Sequence, residues 1–165
     1  MPLVSTFRRS DRHRFTRCTG CGPGDASEKW RGTATIFRSQ EGNWSLGSCM
    51  TARTGGSTPG FGACVALLDE RLAIGATYDA TGGPFAGAAY LYEFSEGLGF
   101  RESAYFTAPN ACSNDVFGYP VALAPGLLVV GAVKPSGKQL SVDAPPELEP
   151  SDRSGAAYTF SIPEP

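Results

Sequence analysis

The chain has 165 residues, 41% of them hydrophobic, enough for one domain with a sizeable core. Its formal net charge of −2 gives no reason to expect nucleic acid as a partner. No apolar run approaches the roughly 18 residues of a membrane helix, so no membrane span is expected.

Residues 1–29 read as an irregular, disordered basic tail, rich in arginine. The start lacks the apolar stretch of a secretory signal, and Asp11 argues against a transit peptide. From Trp30 onward the chain reads as short strands. Small and large residues alternate in Gly32-Thr33-Ala34-Thr35-Ile36-Phe37, the period-2 mark of a strand. A turn at Glu41-Gly42 leads to a strand opening at Trp44 and ending at Thr51-Ala52. A polar loop, residues 53–60, follows. Two short apolar runs, 63–68 and 72–76, flank the two-residue turn Asp69-Glu70. After a loop at 77–86 the alternating pattern returns in Gly87-Ala88-Ala89-Tyr90-Leu91-Tyr92. A turn at Glu96-Gly97 and a strand opening at Phe100 complete the copy. The loop 109–116, the runs 119–124 and 127–132 about Pro125-Gly126, the loop 133–154 and Gly155-Ala156-Ala157-Tyr158-Thr159-Phe160 repeat the order. No segment of ten residues has a helical pattern.

The repetition is direct. Residues 50–76 laid on residues 106–132 give eleven identities in twenty-seven positions without a gap, including Phe61/Phe117, Gly62/Gly118, Leu72/Leu128 and Gly75/Gly131. A period near 56 residues means stacked copies of one supersecondary unit. Four antiparallel strands per period suggest propeller blades. Residues that recur in each copy serve packing, and function falls to the loops that differ.

The order of these motifs resembles the FG-GAP repeat, the blade unit of integrin α-subunit propellers. Phe61-Gly62, Gly75-Ala76, Gly87 to Tyr92 and Phe100 match the pattern in order, and Phe117-Gly118, Gly131-Ala132 and Gly155 to Phe160 match it again. The resemblance implies an all-β fold, a partial β-propeller of four-stranded antiparallel blades over residues 30–162. It divides into a partial blade (30–52), a full blade (61–108) and a second partial blade (117–162), about two and a quarter blades in nine strands. Propellers close with about four to eight blades. Either the chain is a fragment of a larger propeller, or further copies complete the ring as a homo-oligomer, or the sheets stand as an open stack.

Two departures from the family pattern matter. The proline of G-A-P is Thr77 in one copy and Val133 in the other. Calcium-binding members carry an acidic loop between the first two strands, where this chain has only Asp69-Glu70 and Pro125-Gly126. Calcium takes about six to eight oxygen ligands, so no metal is expected at these turns, and no cofactor.

Other chemistry finds little footing. Cys18 and Cys21 are spaced as half a zinc site, with His13 as a third ligand and no fourth nearby. The pairing of Cys18, Cys21, Cys49, Cys64 and Cys112 stays open. His13, the single histidine, lies in the tail, which leaves nucleophilic catalysis without its usual base. The glycine-rich stretch 81–87 precedes a strand rather than a helix, so it lacks the anion-binding terminus of a phosphate loop. No catalytic residue is expected.

Binding residues are sought on the loops that share the ligand face in the resembled propeller: 53–60, 77–86, 109–116 and 133–154. Tyr78, Asp79, Phe85, Asn110, Asn114 and Asp115 combine rings with hydrogen-bonding groups, although Asn and Asp also serve as ordinary turn residues. The acidic, Pro-rich segment 141–152 reads as an exposed insertion suited to a basic partner. The resemblance implies a non-catalytic binding or adhesion module, extracellular or at the cell surface, whose partner is a protein or further blades. The alternatives are a propeller appended to a hydrolase outside this chain, and a structural remnant without a ligand.

Overall fold

The computed structural model describes residues 13–19, 32–40, 43–52, 60–133 and 155–163. They form ten strands and no helix: β1 (His13–Thr19), β2 (Gly32–Gln40), β3 (Asn43–Met50), β4 (Phe61–Leu68), β5 (Arg71–Ala76), β6 (Ala88–Ser95), β7 (Gly99–Phe106), β8 (Phe117–Ala124), β9 (Leu127–Ala132) and β10 (Ala156–Ser161). Every pairing is antiparallel between neighbouring strands. The strands make three sheets, ordered β1-β2-β3, β4-β5-β6-β7 and β10-β9-β8. The nine strands expected from the repeat are all present. The tenth is β1, seven residues of the stretch read as an irregular tail, paired with β2 from His13↔Arg38 to Thr19↔Gly32. It has no copy elsewhere in the sequence, and its basic residues suit an edge strand. The remainder of residues 1–29 lies outside the described residues.

Both hairpins inside the repeats close over two residues. Leu68 faces Arg71 across Asp69-Glu70, and Ala124 faces Leu127 across Pro125-Gly126. These connections cannot wrap a cation with about six oxygen ligands.

Two apolar seams hold the sheets together. In the first, Ala34 and Ile36 of β2 meet Leu72, Ile74, Ala88, Tyr90 and Tyr92 of the middle sheet. In the second, Ala73, Ala89 and Leu91, on the opposite face of the middle sheet, meet Val121, Leu128 and Val130 of the third. Strands β5 and β6 are therefore covered on both sides, which explains why β5 is buried along its whole length and reads as a continuous apolar run rather than an alternation.

The repeated Phe-Gly dipeptide ties each seam. Its ring stays in its own sheet: Phe61 meets Tyr90 edge-on at 5.3 Å, and Phe117 meets Tyr158 at 5.4 Å. Its glycine breaks the ladder. The register shifts after Phe61 and again after Phe117, and Gly62 and Gly118 take φ of 80° and 102°, a region open to glycine at little cost. The bulge brings backbone onto the preceding sheet. A Cβ on Gly62 would lie 2.6 Å from the Thr33 carbonyl oxygen, and one on Gly118 would lie 2.3 Å from that of Ala88. On the receiving side, a Cβ on Gly87 would lie 2.0 Å from the Phe117 carbonyl oxygen, and the Phe117 amide donates to Ala86 O at 2.9 Å. The two recurring motifs, Phe-Gly and the glycine that opens G-x-A-Y, are thus the two halves of one backbone contact between successive sheets.

Candidate binding face

The loops at 77–86 and 109–116 lie side by side. The amides of Asn114 and Val116 donate to the carbonyls of Pro84 (2.8 Å) and Phe85 (3.1 Å), and the run ends in the parallel bridge Gly87↔Phe117. Gly82 and Gly83 make the close approach possible, since a Cβ on either would meet Ala111 or Ser113. The sequence-selected residues of the two loops are therefore brought to one end of the second seam. The other two selected loops fall, apart from Gly60 and Val133, outside the described residues, as does the acidic segment 141–152.

The six candidates separate by environment. Asp79 is buried and fully engaged: Tyr90 Oη donates to its Oδ2 at 3.2 Å, Tyr105 Oη to its Oδ1 at 3.0 Å, and the Thr81 amide to Oδ1 at 2.9 Å. The last is an Asx turn, which with the Gly87 amide on Asp79 O (2.9 Å) fixes the loop. Asp115 is 1% exposed and accepts from the Cys112 amide at 2.7 Å. Asn110 accepts from Tyr158 Oη at 2.8 Å. These three hold the loops from beneath.

The other three reach solvent. Tyr78 and Phe85 are 38% and 49% exposed and stand edge to face at 5.5 Å and 89°. Asn114 is exposed beside them, its amide on Pro84 O. Phe85, Asn114 and Val116 have φ of 58°, 70° and 56°. Left-handed backbone is ordinary for Asn and costs about 1–2 kcal/mol for Phe or Val, so the surrounding hydrogen bonds hold Phe85 outward against both strain and exposure. Such conformations cluster where a surface is shaped for binding.

Sequence reasoning missed Tyr105, the second hydroxyl on Asp79, and Val116. The signal for Tyr105 was its place opposite Tyr90 across β6 and β7. Burial, with Asp79 adding to it and a hydrogen bond with Thr81 opposing it, pushes the Tyr105 hydroxyl up to about 12. Burial and the Glu102 carboxylate push Tyr92 up to about 12 as well. Burial also raises Tyr158. All three hydroxyls are neutral donors at physiological pH.

Among the described residues no three His, Cys, Asp or Glu side chains gather as a metal ion would need. Cys49, Cys64 and Cys112 are free thiols. Cys18 lies on β1 with its side chain outside the description, and Cys21 is outside the described residues. Among the described residues no helix is long and apolar enough to cross a membrane.

The stacked antiparallel sheets, joined through Phe-Gly seams, define a β-propeller-like repeat module. Residues 44–92 and 100–160, about two thirds of the chain, match the family model of the FG-GAP repeat. The chain belongs to the FG-GAP repeat family. Such repeats build β-propeller-like modules often found in binding and adhesion proteins. No curated protein matches the chain.

Proposed function

We propose that the chain is a non-catalytic protein-binding module of the adhesion type, acting outside the cell or at its surface through the paired loops 77–86 and 109–116. One observation carries this reading: Tyr78 and Phe85 are held as an exposed aromatic pair, Phe85 against backbone strain, over a base of buried, hydrogen-bonded acids. Exposed rings on a rigid base are the usual anchors of protein interfaces. The buried carboxylates Asp79 and Asp115 serve loop geometry, which speaks for recognition rather than acid-base chemistry on this face. The extracellular setting rests on likeness to integrin-type propellers alone.

The test is selection of peptides or small protein domains on the intact chain, followed by affinity measurement on Tyr78→Ala and Phe85→Asn. Asn keeps the left-handed backbone at position 85 at little cost, so the ring is removed without refolding the loop. Binders should lose affinity about 30-fold or more, the size of a hot-spot aromatic, with the melting temperature unchanged. Binders indifferent to both substitutions would remove this face from consideration.

A further inference from the structure

The chain has three asparagines, and they differ in sequence context and in surroundings. Asn110 accepts from Tyr158 Oη, and the Asn114 amide is tied to Pro84 O. Neither has serine or threonine two residues on. Asn43 does: Asn43-Trp44-Ser45 is an Asn-x-Ser triplet without proline, the acceptor signal for N-linked sugar. A triplet by itself decides little, so its place in the fold carries the argument.

Asn43 opens β3 and faces Gln40, the last residue of β2. Asn43, Trp44 and Ser45 are all exposed. Alternate residues of a strand share a face, so the amide of Asn43 and the hydroxyl of Ser45 lie on the same one. The repeat shows that packing asks for neither residue. At the period of 56, Asn43 corresponds to Gly99 and Ser45 to Arg101, whereas Trp44 has its aromatic counterpart in Phe100. The ring recurs and the acceptor pair does not, and residues that differ between copies are the ones open to function.

The triplet also stands far from the paired loops. Strand β2 starts at the first seam, where Gly32 lies against the Phe61 backbone as Gly87 lies against that of Phe117 beside the loops. It then runs nine residues, roughly 25 Å, before β3 begins at Asn43. Strand β3 is the outermost of its sheet, as β7 is of the middle sheet. Sugar at this point displaces no core residue and leaves Tyr78 and Phe85 uncovered.

We infer that Asn43 is an N-linked glycosylation site. The donor class is an oligosaccharide carried on a lipid diphosphate. Asn43 Nδ2 forms a C–N bond to the anomeric carbon, and the C–O bond to the diphosphate breaks. The electron pair of that bond leaves with the lipid diphosphate, and the nitrogen gives one proton to a base of the transferase. Nothing is oxidised or reduced. The inference rests on the extracellular setting proposed above and on nothing at the Tyr78–Phe85 face. A bulky, solubilising sugar belongs on an exposed surface of this kind.

The test is peptide mapping of the full chain from two sources: recovered from its own cells, and secreted by eukaryotic cells behind a cleavable leader. Glycan release by an amidase in heavy-oxygen water should convert Asn43 to labelled aspartate in both. Asn43→Gln and Ser45→Ala should each abolish the label and the mass of the sugar, while Ser45→Thr should retain both. Because positions 43 and 45 are exposed, all three variants should melt at the parent temperature, which separates loss of the acceptor from misfolding. An unmodified Asn43 in the leader-directed chain overturns the inference at the site itself. Modification there but not in the chain from its own cells also overturns it, and traces the failure to the extracellular setting. Sugar that survives both Asn43→Gln and Ser45→Ala overturns it as well.

Discussion

Tyr90 and Tyr158 stand at the same point of successive sheets, and their surroundings agree on one side and differ on the other. Toward the Phe-Gly strand they are alike: each ring meets its phenylalanine edge-on, at 5.3 Å and 73° in one sheet and 5.4 Å and 65° in the next. Toward the loop they diverge. The Tyr90 hydroxyl donates to a buried carboxylate, Asp79, which Tyr105 shares, while the Tyr158 hydroxyl donates to the neutral amide oxygen of Asn110. The common side is what the repeat unit needs in order to stack. The divergent side is where each blade has been fitted to its own loop.

The largest effects should come from the common side. Phe61 and Phe117 are both fully buried, so Phe61→Ala and Phe117→Ala should each cost about 3–5 kcal/mol in denaturant unfolding. Equivalent seams predict losses within roughly 1 kcal/mol of each other, because the spread in such costs follows how well a site collapses. A much smaller loss at either position would mean that its seam is looser than the ring geometry implies.

Next comes the receiving glycine of the second seam. Gly87→Ala places a methyl group against the Phe117 carbonyl and forces a left-handed φ of 86° on alanine. Overpacking costs about 1–3 kcal/mol and the backbone conformation about 1–2 kcal/mol. The variant should therefore unfold at clearly lower denaturant, and a crystal structure should show the second and third sheets moved apart.

The divergent side predicts an asymmetry. Tyr90→Phe removes a donor from a buried carboxylate and should cost about 1.5–3 kcal/mol, whereas Tyr158→Phe removes a neutral bond and should cost about 0.5–1.5 kcal/mol. Equal losses, measured in the same denaturant series, would erase the distinction between the two tyrosines.

Alkali probes the middle sheet in another way. Tyr92 and Tyr105 have folded values of about 12 against an ordinary value near 10. The fold thus favours the neutral hydroxyl. The stability this contributes is fully present below pH 10 and is lost as pH rises toward 12. Unfolding measured across that window should fall in stability with pH, and the combined Tyr92→Phe and Tyr105→Phe variant should fall less steeply.

Much of this architecture could be read from the residues, and the reasons are local. Alternation in 32–37, the identical turns and the twice-repeated Phe-Gly gave nine strands in the right order, because a strand's period and a two-residue hairpin are written in consecutive residues. Strand β1 was illegible because it has no copy to compare with and pairs with β2 across a long connection. Of the four loops expected on one face, 77–86 and 109–116 are described and lie side by side, and their residues were sorted only by the structure. Asp79 and Asp115 look like surface turn residues in a sequence; the Cys112 amide that Asp115 accepts is local, but the Tyr90 and Tyr105 hydroxyls on Asp79 reach it only through the fold. Phe85 could be seen as a ring in a loop. That it is held outward at a left-handed φ could not, since the carbonyl that binds Val116 belongs to it and the partner lies thirty-one residues on.

The smallest expected effect is also the sharpest test of what the third glycine does. Gly155 opens the same motif as Gly87, yet a Cβ on it would find only the Ala132 carbonyl oxygen, at 3.5 Å, an ordinary contact. Its φ is not in the left-handed range either. Gly155→Ala should then be within about 0.5 kcal/mol of the parent, or more stable by about 0.4–1 kcal/mol through the reduced freedom of the unfolded chain. The two positions open the same motif and differ in both respects, the Phe-Gly backbone packed against Gly87 and its left-handed φ, so the contrast with Gly87→Ala measures the two together. A loss at Gly155 comparable to that at Gly87, in the same denaturant series, would mean that a further backbone packs against this glycine as Phe117 packs against Gly87.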